Sequence, residues 1–248
     1  MYCNHVFKKI VRAASVCLLL ASSARATIII SEVDPSGSSA TSNTYHADWF
    51  ELTNTGSAAQ DITGWKIDDN SHGFATAVAL RGVTSITPGQ SVVFAEGLAD
   101  GSTDATIDAN FENFWFGGTV PSGFIMGNYG GAGVGLSQTA DEVNIYDQAG
   151  NQVTGAGFGA TSVGVSLDNS AGVGSSTQPV PIISTNSVAG TSGAFSSANA
   201  ASGQPNEIGS PGVISSAVPE PGSAMLLVLG AGVLMASSAL RKCLRFRC

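Results

Sequence analysis

The stretch Asp68-Asp69-Asn70-Ser71-His72-Gly73 puts side-chain oxygens at alternate positions, Asp68 and Asn70, just ahead of a glycine. A calcium loop opens this way, because a hard dication takes oxygen ligands from alternate residues of a turning chain. The loop is not completed. The twelfth position counted from Asp68 is Ala79, where such loops carry a bidentate Glu. Asp68 and Asn70 are therefore the candidates for a structural or adhesive Ca²⁺ site, with Asp100, Asp104 and Asp108 as a second set, and no other cofactor is expected. His46 and His72, with Asp48, Asp68 and Asp69 nearby, are zinc-type ligands without the regularly spaced partner that a ligand helix supplies. They read as exposed loop residues. Serine is abundant, yet no G-x-S-x-G elbow singles one out as a nucleophile. Cys3, Cys17, Cys243 and Cys248 all lie near the ends, so the intervening body has no thiol for catalysis or for zinc. No catalytic residue is assigned and an enzyme is not expected. A secreted hydrolase stays as an alternative that activity screens would test.

The two ends have compositions of their own. Lys8, Lys9 and Arg12 precede an apolar run from Ala13 to Ala24, followed by Ala24-Arg25-Ala26. A run this short falls below the ~20 residues that cross a bilayer. Residues 1–26 thus read as a secretory signal peptide, cut by signal peptidase after Ala26. At the other end Val218-Pro219-Glu220-Pro221 is followed by uncharged residues 223–240, which at helical rise extend ~27 Å, enough for one transmembrane helix. Arg241, Lys242, Arg245 and Arg247 come next and hold that end in the cytoplasm. Pro219 and Pro221 keep the four-residue motif extended, as a processing enzyme requires of its substrate.

Motif, apolar span and basic cluster in this order resemble the PEP-CTERM sorting signal of Gram-negative bacteria, which assigns residues 215–248 to that signal. The resemblance implies processing by an exosortase, a membrane-embedded transpeptidase that removes the helix. It also implies a setting of exopolysaccharide and biofilm matrix. An ordinary single-pass anchor is the alternative reading of the same helix and basic flank.

Removing both ends changes the charge. Between Thr27 and Pro219 only Lys66 and Arg81 remain against seventeen acids, a balance of −15. Such a body repels nucleic acid and anionic lipid, whose recognition depends on clustered Lys and Arg. It suits a hydrated exterior and divalent cations, and acidity alone also favours solubility.

Hydrophobic alternation organises this body into short strands. Phe50 and Leu52 share one face of DWFELTN, and Trp65 and Ile67 share one face of ITGWKIDDN. Pro88-Gly89 turns into the Val92–Ala95 run, and Val143, Ile145 and Val153 flank a hairpin turn over 147–150. In DATIDANFENFWF the residues Ile107, Phe111, Phe114 and Trp115 fall on one helical face, with Asp104 placed to cap it. The expectation is an all-β sandwich or barrel with one short helix docked on it.

IIISEV, DWFELTN, DITGWKIDD, ITPGQSVVFA, FENFW, DEVNIYDQAGNQV, VGVSLDN and the closing IGSPG, in this order, resemble the lamin tail domain. That resemblance covers 27–214 and implies an immunoglobulin-like β-sandwich with no defining catalytic centre, in which Trp49, Phe50, Leu52, Trp65 and Ile67 are core positions. Asp168 departs from the bacterial pattern, where an acidic-basic pair follows Ser-Leu. Within this span, residues 27–168 read as the sandwich core and 169–214 as a loose Ser/Gly-rich part, since from Asn169 to Ala217 there is one charge, Glu207, and one aromatic, Phe195. Pro179–Ile183 is the one place there for a last strand.

The function expected is that of a non-enzymatic exported protein. It is anchored in the inner membrane as a precursor, then presents a binding or scaffolding sandwich at the cell surface or in the extracellular matrix. The alternative is a carbohydrate-binding module for exopolysaccharide, with Tyr45, Trp115 and Tyr129 as exposed stacking residues.

Overall fold

The computed structural model describes residues 27–213. The signal peptide, Val218–Pro221, the transmembrane stretch and the basic cluster lie outside the described residues. Among the described residues no helix is long and apolar enough to cross a membrane.

The chain is mostly β, in two five-stranded sheets, consistent with an immunoglobulin-like sandwich. Elements run in the order β1 (Ile28–Asp34), β2 (Trp49–Asn54), β3 (Gln60–Asp61), β4 (Lys66–Asp68), β5 (Val78–Ala79), β6 (Ser85–Ile86) and β7 (Ser91–Gly97). Helix α1 (Asp104–Phe116) follows, then β8 (Met126–Gly130), β9 (Asp141–Tyr146), β10 (Gln152–Phe158) and β11 (Leu167–Asp168). The last strands are β12 (Ile182–Ile183), β13 (Phe195–Ser196) and β14 (Ile208–Gly209). The first sheet has the order β11-β1-β2-β7-β8 and the second β12-β10-β9-β4-β5, while β3-β6 and β13-β14 form two-stranded ribbons.

Period-two alternation places Ile30, Phe50, Leu52 and Phe94 of the first sheet in one apolar cluster with Trp65, Ile67, Val143 and Ile145 of the second. Trp49 points to the opposite face of the first sheet. There it joins Val93, Ala95, Tyr45 and the α1 residues Phe111, Phe114 and Trp115 in a second cluster. The first sheet is thus buried on both faces, and every residue of β2 is buried. Trp49, Phe50, Leu52, Trp65 and Ile67 are each at most 5% exposed.

The helical face expected from Ile107, Phe111, Phe114 and Trp115 is the face that packs on the sheet. Its capping differs from expectation. Thr103 is the N-cap, its hydroxyl accepting from the Leu98 amide and not from the helix, whereas Asp104 reaches across to Arg81 in a bidentate pair (Nε–Oδ2 and Nη2–Oδ1, both 2.9 Å). Gly117 ends the helix in the left-handed conformation, with its N–H on the Asn113 carbonyl. In the β9–β10 hairpin, Asp147 accepts from the Ala149 and Asn151 amides and Gly150 takes φ 88°.

The largest departure concerns 169–213. Its composition predicts a loose spacer, but this stretch is stitched onto the sandwich: β12 adds parallel to β10, Ser187 N–H donates to the Ser166 carbonyl, and Ala198 and Asn199 N–H donate to the last turn of α1. Small side chains bury little apolar area, yet they let backbones approach closely enough to pair with one another. Backbone and hydroxyl hydrogen bonds replace side-chain burial as the ordering force.

Candidate functional site

The calcium candidates are corrected by their own hydrogen bonds. Asp68 is wholly buried. Its Oδ2 accepts from Ser71 Oγ (2.8 Å) and Gly73 N (2.6 Å), and its Oδ1 from Thr76 Oγ1 (3.2 Å). The carboxylate therefore closes the turn from within, and Asn70 gives its backbone N–H to Asp141. In the second set, Asp100 accepts from Ser102, Asp104 holds Arg81 and Asp108 accepts from Asn128, so the three carboxylates do not converge. Among the described residues no group of three or more His, Cys, Asp or Glu is placed to hold a metal. His72 Nε2 sits 2.7 Å from Glu142, and His46 and His72 both adopt positive φ outside the strands.

The three stacking candidates are also corrected. Tyr45, Trp115 and Tyr129 are 3%, 1% and 0% exposed, so none offers a ring face to a sugar. Tyr45 and Trp115 belong to the aromatic layer under α1, with Tyr45 and Phe111 centroids 4.9 Å apart and Trp49 and Trp115 6.0 Å apart in an edge-to-face pair. Tyr129 lies against Phe50. The indole N–H groups of Trp49 and Trp115 and the Tyr129 hydroxyl have no hydrogen-bond partner.

What sequence reasoning missed is a set of carboxyls sealed behind the first sheet. A β-bulge between Ile30 and Glu32 shifts the β1–β2 register, so Ile30 faces Leu52 but Glu32 faces Glu51 directly. Like charges opposite each other on a ladder repel, and both side chains are at most 1% exposed. Each is met by neutral donors. Glu32 accepts from the Ser166 hydroxyl, from Ser210 N (2.7 Å) and from Ser210 Oγ (2.9 Å). Glu51 accepts from Ser31 Oγ (2.6 Å) and Gly212 N (2.6 Å).

Burial, and then the charge of Glu51, pushes the Glu32 carboxyl up to about 8. Burial pushes Glu51 up to about 7, against the pull of its Ser31 and Gly212 donors. A second group lies further along the layer. Asp34 accepts from Ser36 and is pushed to about 7 by burial and by Glu207, which itself accepts from Ser42, Asn43 and Tyr45. Asp48 is raised to about 6 by burial. The body's two Lys and Arg side chains are engaged elsewhere, Arg81 on Asp104 and Lys66 over the Phe74 ring at 4.5 Å. Among the described residues these carboxyls have no ion-pair partner.

The available signal was in β2. If Phe50 and Leu52 face the core, Trp49 and Glu51 share the other face, and a tryptophan there indicates that this face is covered. The bulge and the donors from 166–212 had no such signal.

Among the described residues, shallow grooves indent the surface beside Pro88–Ser91 and beside Trp65. The larger, about 670 Å³, lies between Gln60, Asp61, Thr63, Trp65, Asp147 and Gln148. Asp61 and Asp147 are held below the usual carboxylate range by Thr63 and Asn151, the residues whose turns they cap. This groove contains amides and capped carboxylates but no nucleophile paired with a base.

A family profile described as Lamin Tail Domain matches residues 21–160. It includes β1 to β10 and α1 but stops short of Ser166, Ser210 and Gly212, the donors to the buried pair. No curated protein matches the chain.

Proposed function

The chain belongs to the lamin tail domain family, and from that premise we propose that it is a non-enzymatic exported protein whose sandwich serves as a scaffold or binding body at the cell surface or in the extracellular matrix. The single observation that supports a scaffold over a catalyst is the sealing of the perturbed carboxyls. Groups with displaced protonation mark active sites when they line a cleft. Here Glu32, Asp34 and Glu51 are at most 1% exposed and bonded to the chain's own serines and backbone, where no substrate reaches.

In this reading signal peptidase removes 1–26, and an exosortase recognises Val218–Pro221 and severs the chain from its membrane helix. The precursor sits in the inner membrane of a Gram-negative host and the product is released outward. Replacing Pro219 and Pro221 by Ala in the native host tests the processing step by mature mass and surface release. Both are expected to change, and a wild-type mass and yield would refute it. Exopolysaccharide is the partner of the alternative reading, which now rests on the groove beside Trp65. Retention of the body in a gel containing host polysaccharide, abolished by Gln148→Ala, would support that alternative.

A further inference from the structure

The stretch Ser210–Val213 is the last described segment before the sequence runs, six residues after Gly212, into Val218-Pro219-Glu220-Pro221. It is fastened to the first sheet at two adjacent carboxyls. Ser210 gives both its N–H and its hydroxyl to Glu32, and Gly212 gives its N–H to Glu51. Pro211 between them is buried, and the flanking Asn206 and Val213 are exposed, so the strap crosses the carboxyl pair from solvent to solvent. We propose that the Glu32–Glu51 pair is a proton-operated latch: with a proton on the pair the Ser210–Val213 strap is held down, and with both carboxyls ionised the strap lifts.

The argument is one of competing demands on a closed space. One ionised carboxylate is well served by the donors present, since hydroxyl and amide donors to a charged oxygen are the strong hydrogen bonds. A second charge directly across the ladder has no counter-ion, and a buried ion without one needs water. Among the described residues no element around the pair supplies such a counter-ion. The remainder of β1 contributes Asp34, β2 contributes Thr53, and β7 contributes Ser91. Asp168 is the cross-strand partner of Glu32 on β11 and accepts from the Ser170 amide, while Ser166 and Ser187 approach from the loops. The strap's own end brings Glu207, and α1 turns Phe111, Phe114 and Trp115 toward this layer. All the charged groups here are acids, so relief must come from solvent.

The thinnest cover is the strap. Beyond β14 its amides are not part of a sheet ladder, whereas β2 is paired on both sides. Burial raises both carboxyls, and the charge of Glu51 raises Glu32 further, so the pair gives up its last proton above the ordinary carboxylate range. Lifting four residues would release up to ~14 Å of chain ahead of the VPEP motif. This consequence for processing rests on the sorting reading above, whereas the latch itself rests only on the hydrogen bonds.

Hydrogen exchange on the purified full-length wild-type chain, at about pH 6 and about pH 9, tests the latch independently of sorting. After correction for intrinsic exchange, protection of the Ser210 and Gly212 amides is expected to fall by ~tenfold or more, while that of β2 and β7 amides changes little. Equal changes in strap and core, or none in either, would overturn the latch. The double variant Glu32→Gln/Glu51→Gln, which cannot ionise, is expected to lose the pH dependence at the strap. If that variant does not fold, the wild-type comparison of strap with core still decides. Loss of the processing effect with the exchange result intact would refute the sorting reading and leave the latch standing.

Discussion

The first sheet presents two buried faces that solve burial in opposite ways. Toward the second sheet, Ile30, Phe50, Leu52 and Phe94 build a dry core by alternation alone. Toward α1 and 166–212, the same strands present Trp49 and Val93 alongside Glu32, Glu51, Thr53 and Ser91. The apolar face keeps one protonation state near neutrality, because burial pushes the Tyr129 hydroxyl within it well above the ordinary tyrosine range. The other is held by hydrogen bonds whose strength depends on protons, which makes it the responsive half of the fold.

The comparison is most severely tested on the dry face. Phe50→Ala removes a fully buried ring stacked on Phe94 and should cost ~3–5 kcal/mol in chemical denaturation, by nearly the same amount at every pH between about 5 and 9. A pH-dependent cost would break the division between faces.

Acidification tests the other face. Glu32, Glu51 and Asp34 have folded-state values above their unfolded ones, so in the window from about 4.5 to about 8 the folded chain holds more protons. Stability is therefore greatest at the acid end, falls as pH rises through that window and stays low above it, on the order of 1.4 kcal/mol for each unit of displacement. Scanning calorimetry should show the melting temperature falling from pH ~5 to pH ~9. Surface repulsion in a body of charge −15 acts in the same direction, and Glu32→Gln/Glu51→Gln isolates the contribution of the pair.

Glu32→Ala strands the Ser210 amide and the Ser166 hydroxyl, a loss of ~1–3 kcal/mol that should shrink at alkaline pH, where the wild type loses stability and the variant has no acid there to ionise. Arg81→Ala breaks a half-exposed pair with Asp104 and should cost about 1 kcal/mol or less. Smallest of all, calcium at millimolar levels after EDTA treatment should leave the melting temperature unmoved, because Asp68 already accepts from Ser71, Gly73 and Thr76. An upward shift would reopen the calcium reading.

Legibility followed the same division. Alternation in DWFELTN and ITGWKIDDN gave the strands and the dry core, the 3.6-residue spacing of Phe111, Phe114 and Trp115 gave the helix, and Asp147 with Gly150 gave the hairpin. The responsive face could not be read this way. Its donors, Ser166, Ser210 and Gly212, lie more than a hundred residues from the acids they serve, and Ser and Gly carry no periodic hydrophobic signal. Composition suggested that Tyr45, Trp115 and Tyr129 were ligand platforms because aromatic type does not specify whether a ring faces outward.

Ser31 decides which of these residues go where, by counting. Upstream of it the even-numbered Ile28 and Ile30 face the space between the sheets, and downstream the odd-numbered Val33 does, leaving Glu32 and Asp34 on the far side. Deleting that one serine would remove the bulge and leave Ile30 and Val33 inward and Glu32 and Asp34 outward in strict alternation, at the cost of the Ser31 hydroxyl's bond to Glu51. For this strand a deletion at the bulge should be tolerated, whereas the same deletion one step beyond it, at Val33, would turn Asp34 into the space between the sheets.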